Sequence, residues 1–395
     1  MMKITAPTLR IPNPISLKGI LVVVLLEIFL GGGGRLFDIG PLSLRMYFFI
    51  LTMGLSVMVI GYGQTISKNF LFLLLVFTCL LFFSSVIGGI NGASIKFILN
   101  DIKPLLSIYF LIFIALTVRT EDDVKLMVRL IKFSAVILSI TYLAIVLLLK
   151  FKVLPFSLLY GLVADTEEFF FRGEFAFFYK GFLYICVGLI FFATSEKINK
   201  TIIIVLLLSV VLTFTRGFLV ALMMTYLFYL VFIKKSALKL ILLTFLLTII
   251  VALLWELIYA KMDRSYSDSA RVRQIEQVMT AVTPVSALVG HGFGIGVSSR
   301  PDRMEIVYLV VFHKQGIMGL LFWALVILFS WLLYRRAVRN NNSQMAVPFL
   351  LAVVLIYLES FTNPYLNNPI GLTMISVSLV CLNILGNKKV ESVIN

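Results

Sequence analysis

The sequence predicts an all-α integral membrane protein, and three observations carry that prediction. Of its 395 residues 61% are hydrophobic and only 13% charged. Apolar runs long enough to cross a bilayer recur along nearly the whole chain. Lysine and arginine fall in the short connections between them, as insertion requires. About twelve spans are expected, near 17–34, 41–60, 69–89, 101–118, 128–149, 176–194, 200–215, 217–233, 237–258, 305–333, 345–362 and 367–385.

The elements follow in order. The first run is preceded by Lys3, Arg10 and Lys18 and lacks a small-residue cleavage site, so it reads as a retained span. Inward connections carry Lys68; Arg119, Lys125, Arg129 and Lys132; Lys197 and Lys200; Lys234, Lys235 and Lys239; and Arg335, Arg336 and Arg339. Lys388 and Lys389 mark the tail. An even number of spans then places both termini in the cytoplasm. The chain divides into residues 1–258 with spans one to nine, a large outward loop over 259–304, and residues 305–395 with spans ten to twelve and the tail.

Several function classes are excluded. The net charge of +15 lies in short loops, with no basic arm and no aromatic-plus-basic sheet pattern, so nucleic acid is not the expected partner. Attraction to anionic lipid accounts for most of that charge. Cys79, Cys186 and Cys381 sit inside apolar runs without CxxC spacing, which argues against disulfides and zinc. Outward Asp and Glu are scattered and form no DxD pair, so no metal and no cofactor are expected.

Arginine departs from the insertion rule. By this topology about nine arginines face outward against six inward, while lysine runs about seven against twelve. The outward set is Arg35, Arg45, Arg172, Arg216, Arg264, Arg271, Arg273, Arg300 and Arg303. Guanidinium forks bind phosphate oxygens in pairs and stay ionised in a half-dry site. An outward arginine cluster therefore points to a polyanionic membrane-bound ligand, a diphosphate first. The large loop has a helix of its own. Ser265 and Asp268 form a weak capping pattern, and Val272, Ile275, Val278, Met279 and Val282 recur at helical spacing before Pro284. On the helical wheel Arg271 faces the protein or membrane surface and Arg273 faces water. The helix is expected to lie on the membrane plane as a lid.

Thr213-Phe-Thr-Arg216-Gly217, opening a helix after a short outward turn, resembles the Thr-x-Ser-Arg-Gly element of the O-antigen polymerase and O-antigen ligase superfamily. Asp268-Ser-Ala-Arg271-Val-Arg273 followed by Gly290-His-Gly-Phe-Gly-Ile-Gly296 is similar to that family's arginine helix and glycine-rich turn. Glu305-Ile-Val-Tyr308-Leu with Gly316-Ile-Met-Gly319-Leu looks like the helix after the loop. The resemblance covers roughly residues 165–385 and implies a fold like that of the C-type glycosyltransferases. Family ligases carry a His-Asn pair where this chain has Glu305, a departure that favours a polymerase over a ligase.

The resemblance implies a donor glycan on undecaprenyl diphosphate, moved as a block to another lipid-linked repeat unit at the periplasmic face of the bacterial inner membrane. Arg216 and Arg271 would clamp the diphosphate, with Arg172 and Arg273 assisting. Arg172 lies in the aromatic stretch Phe169-Phe-Phe-Arg-Gly-Glu174, with Tyr179 and Lys180 close behind, which suits sugar stacking and phosphate contact. Glu305, at the outward N-terminal end of a helix, is the candidate general base. Arg300, Arg303, His291 and His313 are further substrate-binding candidates. Bland readings stand beside each: interface anchoring for Arg216, solvated charge for Arg273, Arg300 and Arg303, simple capping for Glu305, and a core histidine for His313. Gly292-Phe-Gly-Ile-Gly lacks the βαβ unit of a dinucleotide fingerprint and reads as a flexible turn whose amides approach an anion. Glu359 and Asn363 share a helix face, to line an acceptor or to bond across helices. A chain-length regulator and membrane lipid are further expected partners. The rival readings are a ligase acting on the lipid A core, a multi-span transporter of an anionic or lipid-linked solute, and a non-catalytic lipid-diphosphate binder.

Overall fold

The structure, a computed structural model, describes residues 14–34, 38–39, 42–166, 168–172, 176–236, 265–298, 304 and 306–387. The expected ninth span and the start of the outward loop lie outside these residues, as do both extreme termini. The first half comprises α1 (Pro14–Leu30), the short hairpin β1 (Asp38–Ile39) and β2 (Leu42–Ser43), α2 (Leu44–Gly61) and α3 (Lys68–Ile90). Next come α4 (Ile95–Leu105), a 3₁₀ turn at Leu106–Tyr109, α5 (Phe110–Thr117) and α6 (Glu121–Lys150). Then follow α7 (Phe156–Val163), β3 (Phe169–Arg172), β4 (Ala176–Tyr179), α8 (Leu183–Ala193), α9 (Lys200–Leu212) and α10 (Arg216–Phe228). A wider helical turn, Tyr229–Lys234, extends α10. The last third holds α11 (Ser265–Ala281), α12 (Pro284–Val289), α13 (Val307–Arg339), α14 (Ser343–Glu359) and α15 (Pro369–Gly386).

Seven described helical segments are long and apolar enough to cross a membrane: α2, α3, α4 with α5, α6, α10 with its extension, α13 and α15. The helices α1, α8, α9 and α14 are shorter and stand where spans one, six, seven and eleven are expected. Helix α15 is the hub, with 78% of its apolar window buried. By contrast α3 turns Phe72, Leu75, Phe82 and Phe83 outward, all more than 60% exposed, as a lipid-facing surface does. Helix α6 begins with a capping box in which Thr120 and Asp123 satisfy each other's amides, and three acids occupy its first turn. Small residues close the seams: a Cβ on Gly188 of α8 would meet Ala135 of α6 at 2.1 Å.

The sequence-based boundaries need two corrections. Residues 176–179 do not begin a span. They form β4, paired in antiparallel register with β3 so that Phe169 faces Tyr179 and Phe171 faces Phe177. Aromatic residues favour strands where cross-strand rings can stack, and Phe169 and Tyr179 lie 4.8 Å apart between ring centres. The protein is helical as expected, with two small hairpins among the described residues. Helix α13 is also not continuous: Gly316 (φ 63°, ψ −158°) breaks it between Gln315 and Ile317.

Hydrogen bonds sort the connections into two ends. At one, Lys18 pairs with Asp123 at 2.5 Å, Arg119 donates to Thr65, and Asn342 donates to Leu385. At the other, Gly33 donates to Glu168, Tyr179 to Leu30, Asn91 to His291, and Tyr365 to Lys180. The second end gathers the connections that bear the sequence-predicted site.

Candidate active site

The arginine turn is built from the end of α9. Thr213 closes it by donating its hydroxyl to Val210 O at 2.7 Å and accepting from the Thr215 amide, while Phe214 takes a positive φ of 49°. This reversal starts α10 at Arg216. Phe218, fully buried, then lies between Phe178 of β4 and Tyr365 of the α14–α15 connection, which fixes the helix start against both. Gly217 lets the helix start approach the α14–α15 connection closely: a Cβ would meet Thr362 Oγ1 at 2.5 Å and Glu359 Oε1 at 2.9 Å, and those side chains would have to shift. Arg216 is half-buried, and its Nε is buried without a hydrogen-bond partner among the described residues. Glu359 is fully buried; its Oε1 accepts from Asn363 and Thr362, and its Oε2 is likewise unpaired among the described residues. A half-buried guanidinium and a buried carboxyl therefore flank one glycine, each with an unsatisfied atom. Buried polar groups are nearly always paired, so these mark a place where a further group belongs.

The glycine turn is built differently. The break at Gly316 frees the carbonyls of His313 and Lys314 from the helix ladder. The amides of His291 and Gly292 fill them at 2.8 and 3.0 Å. Phe293 N donates to Ser84 O at 2.8 Å, and Gly294 N to Asp101 Oδ2 at 2.7 Å. Asp101 also receives Lys314 Nζ at 2.6 Å in a buried ion pair. The turn is thus wedged between α3, α4 and the α13 break. A Cβ on Gly292 would lie 2.0 Å from Gly88 N. The expectation that these amides approach an anion is corrected: those of Gly292, Phe293 and Gly294 already have partners within the chain.

The other predicted residues fall as follows. Arg271 is half-buried on the α11 face that also carries buried Gln274 and Val278, and Arg273 is exposed. The apolar stripe of α11 is otherwise outward, with Val272, Ile275 and Met279 exposed. His291 stacks on His313 with ring centres 4.5 Å apart, and its ring nitrogens lie 3.2 and 3.1 Å from His313 O and Ala281 O. That engagement replaces the phosphate contact expected of it. His313 is buried, and neither ring nitrogen has a hydrogen-bond partner among the described residues. Tyr179 is also corrected. It is buried, donates to Leu30 O at 2.6 Å and packs over Gly32, so no face is left for a sugar. Burial pushes its hydroxyl well above the usual phenol range. Arg172 ends β3, and nothing is described of its side chain. Glu305, Arg300 and Arg303 lie outside the described residues, although Met304 and Ile306 flank Glu305 within them. The described residues hold no cluster of potential metal ligands.

Sequence reasoning missed Asp101 and Glu168 at this end, and the pairings that hold Arg45 and Lys314. Arg45 forks onto both oxygens of Glu27 at 3.0 Å and is structural. Asp101 and Lys314 hold the glycine turn. Glu168, 1% exposed, accepts from Gly33 N at 2.7 Å through Oε2, while Oε1 is buried and unpaired among the described residues. Their partners are far apart in sequence, and no local pattern signals them. A cavity of about 650 Å³ lies among these groups, walled by Arg45, Asp101, Glu168, Lys314 and the Asn367–Asn368 connection. Arg216 does not line it, but the α14–α15 connection separates the two: Asn363 bonds Glu359 beside Gly217, and Pro364 lines the cavity.

The chain is 29% identical over 358 residues to a protein of Shigella flexneri named O-antigen polymerase, with 89% of this chain and 91% of that one aligned. The chain is a relative of an O-antigen polymerase. At 358 residues the alignment is longer than the stretch that carries the motif resemblance. No protein-family model matches the chain.

Proposed function

We propose that this chain is an O-antigen polymerase: a glycosyltransferase that joins undecaprenyl-diphosphate-linked repeat units by block transfer on the outer face of the inner membrane. Near end-to-end similarity to a protein of that name supports the reaction class. The observation that carries the site is Arg216, whose buried Nε lacks a partner among the described residues at the start of α10. A diphosphate leaving group gathers charge as the sugar–phosphate bond breaks, and a guanidinium already inside the protein meets it without a reorganisation cost. Arg271, half-buried on α11, completes the clamp in this reading, and Arg172 and Arg273 assist it, with Arg300 and Arg303 nearby in sequence. The acceptor hydroxyl attacks the anomeric carbon, the bond to the diphosphate breaks, and the lipid diphosphate leaves with the electron pair. Glu305 takes the hydroxyl proton. Met304, the residue before Glu305 in sequence, lines the cavity beside the α14–α15 connection. The arginines supply the charge compensation that a metal would otherwise give.

The test is complementation of a strain lacking the native gene, read as a polysaccharide ladder on a gel. Arg216→Ala is expected to collapse the ladder to a band bearing one repeat unit, a loss of about 10²-fold or more in elongation. Glu305→Gln is expected to do the same. An unchanged ladder from Arg216→Ala would remove the clamp, and an unchanged ladder from Glu305→Gln would remove the base.

A further inference from the structure

We propose that the cavity beside the arginine turn is the acceptor-glycan site, holding the uncharged sugar residues of the lipid-linked acceptor, with Glu168 Oε1 receiving a sugar hydroxyl. This rests on the polymerase reading and adds a second subsite to it.

The charge pattern favours an uncharged ligand over a phosphate. The walls carry Arg45, Lys103, Lys180 and Lys314 against Asp101, Asp165 and Glu168, and Arg45 is matched by Glu27 behind the wall. Four cations and three carboxylates line the cavity, and a fourth carboxylate, Glu27, backs Arg45. Two of the cations are held within the fold, Arg45 by both oxygens of Glu27 and Lys314 by both oxygens of Asp101. Such a wall offers a diphosphate little net attraction, and a bare carboxyl oxygen beside it repels one. The same wall suits a sugar, whose hydroxyls need acceptors and donors close together. Asn367, Asn368 and Gln315 supply both. Phe49, half-buried on the cavity wall, adds ring surface for the apolar C–H face of a pyranose, and Trp323 also lines the cavity.

Glu168 provides the independent sign of a ligand. It is 1% exposed, and Gly33 N fixes one of its oxygens at 2.7 Å. The other oxygen, on a residue that lines the cavity, is buried and lacks a partner among the described residues. A carboxyl oxygen in that position costs free energy unless a hydroxyl or amide supplies the missing bond. Access also fits a lipid-anchored molecule. Ile50 of α2 lines the cavity and is 59% exposed on an apolar helix face, so a glycan can enter while its lipid stays in the bilayer.

Trp323 allows a direct test in the full-length protein in lipid nanodiscs. With Trp255→Phe and Trp331→Phe it becomes the sole tryptophan of the three in the chain. The probe is the strain's own oligosaccharide repeat unit, released from its carrier and freed of phosphate. Saturable quenching of Trp323 is expected, with inorganic diphosphate failing to compete. Glu168→Gln keeps an oxygen for the Gly33 amide but turns the free acceptor into a donor, and is expected to weaken binding about tenfold. Asn367→Leu, which removes a cavity-lining amide, is expected to weaken it as well and serves if the Glu168 variant does not fold. Quenching by diphosphate but not by the oligosaccharide would overturn the proposal. So would oligosaccharide binding and a ladder that neither variant alters. Both results leave the polymerase reading standing; that reading falls separately if the wild-type gene restores no ladder.

Discussion

The arginine turn and the glycine turn look alike in sequence, and the fold treats them in opposite ways. Each is a short run of small and polar residues beside a helix at the same end of the molecule, and each suits an anion on paper. In the glycine turn every amide from His291 to Gly294 ends on an oxygen of the chain. In the arginine turn the buried Nε of Arg216 ends on no described residue. A buried polar group satisfied within the chain is architecture, whereas one left open where the fold has room is a claim on something outside it. Glycine richness does not separate the two cases; the accounting of hydrogen bonds does.

The largest effect is expected from breaking the satisfied turn. Gly292 has a φ of +87°, and a Cβ there would lie 2.0 Å from Gly88 N. The left-handed backbone alone costs an ordinary residue about 1–2 kcal/mol. The clash is with backbone, which cannot swing aside, so Gly292→Ala should exceed the roughly 4 kcal/mol that few single changes reach. The expected result is little monodisperse protein in size-exclusion chromatography and no ladder. Normal yield and unfolding temperature would show that the turn is a loose loop after all, and the contrast would lose one side.

The open turn should respond in activity and not in stability. Arg216→Lys keeps the charge and loses the fork. Elongation is expected to fall about 10²-fold, the usual loss when one preorganised donor to a developing anion is removed. The unfolding midpoint should stay where it is, because no bond to a described residue disappears. A midpoint that falls in step with the ladder would make Arg216 a packing residue of the same kind as Gly292.

What the sequence made legible follows from the range of each interaction. Helix positions depend on runs of about twenty residues, and most described helices stand where hydropathy places them. The helix at Ser265–Ala281 and the differing burial of Arg271 and Arg273 come from a local period. The hairpin at residues 169–179 did not emerge, because an aromatic run reads equally as a membrane-interface belt and as a strand. The break at Gly316 was hidden in an apolar run, since its cause is the turn that docks there and not the local sequence. Asp101 and Lys314 are 213 positions apart, and Glu168 and Gly33 are 135 apart. No spacing rule connects such pairs. The arginine turn was visible because a charged residue between two apolar runs stands out; the cavity beside it was not, because it is assembled from connections that only the fold brings together.

The smallest expected effect sharpens the contrast most, because it concerns a titratable residue that chemistry would nominate. His291 sits in the glycine turn with both ring nitrogens near carbonyl oxygens, at 3.2 Å from His313 O and 3.1 Å from Ala281 O. If its work is to bridge those two carbonyls, a side-chain amide can donate to at least one of them. His291→Gln should then cost about 1 kcal/mol for the one hydrogen bond lost, and leave the ladder's length distribution unaltered. The stack on His313 is lost, yet a 4.5 Å ring contact adds only about 0.5–1.5 kcal/mol and the amide recovers part of the area. A phosphate-binding histidine behaves otherwise: its glutamine variant would fold normally and lose the polymer. That outcome would mean the turn opens to substrate during catalysis, and the closed ladder of amides at residues 291–294 would then describe its resting form alone.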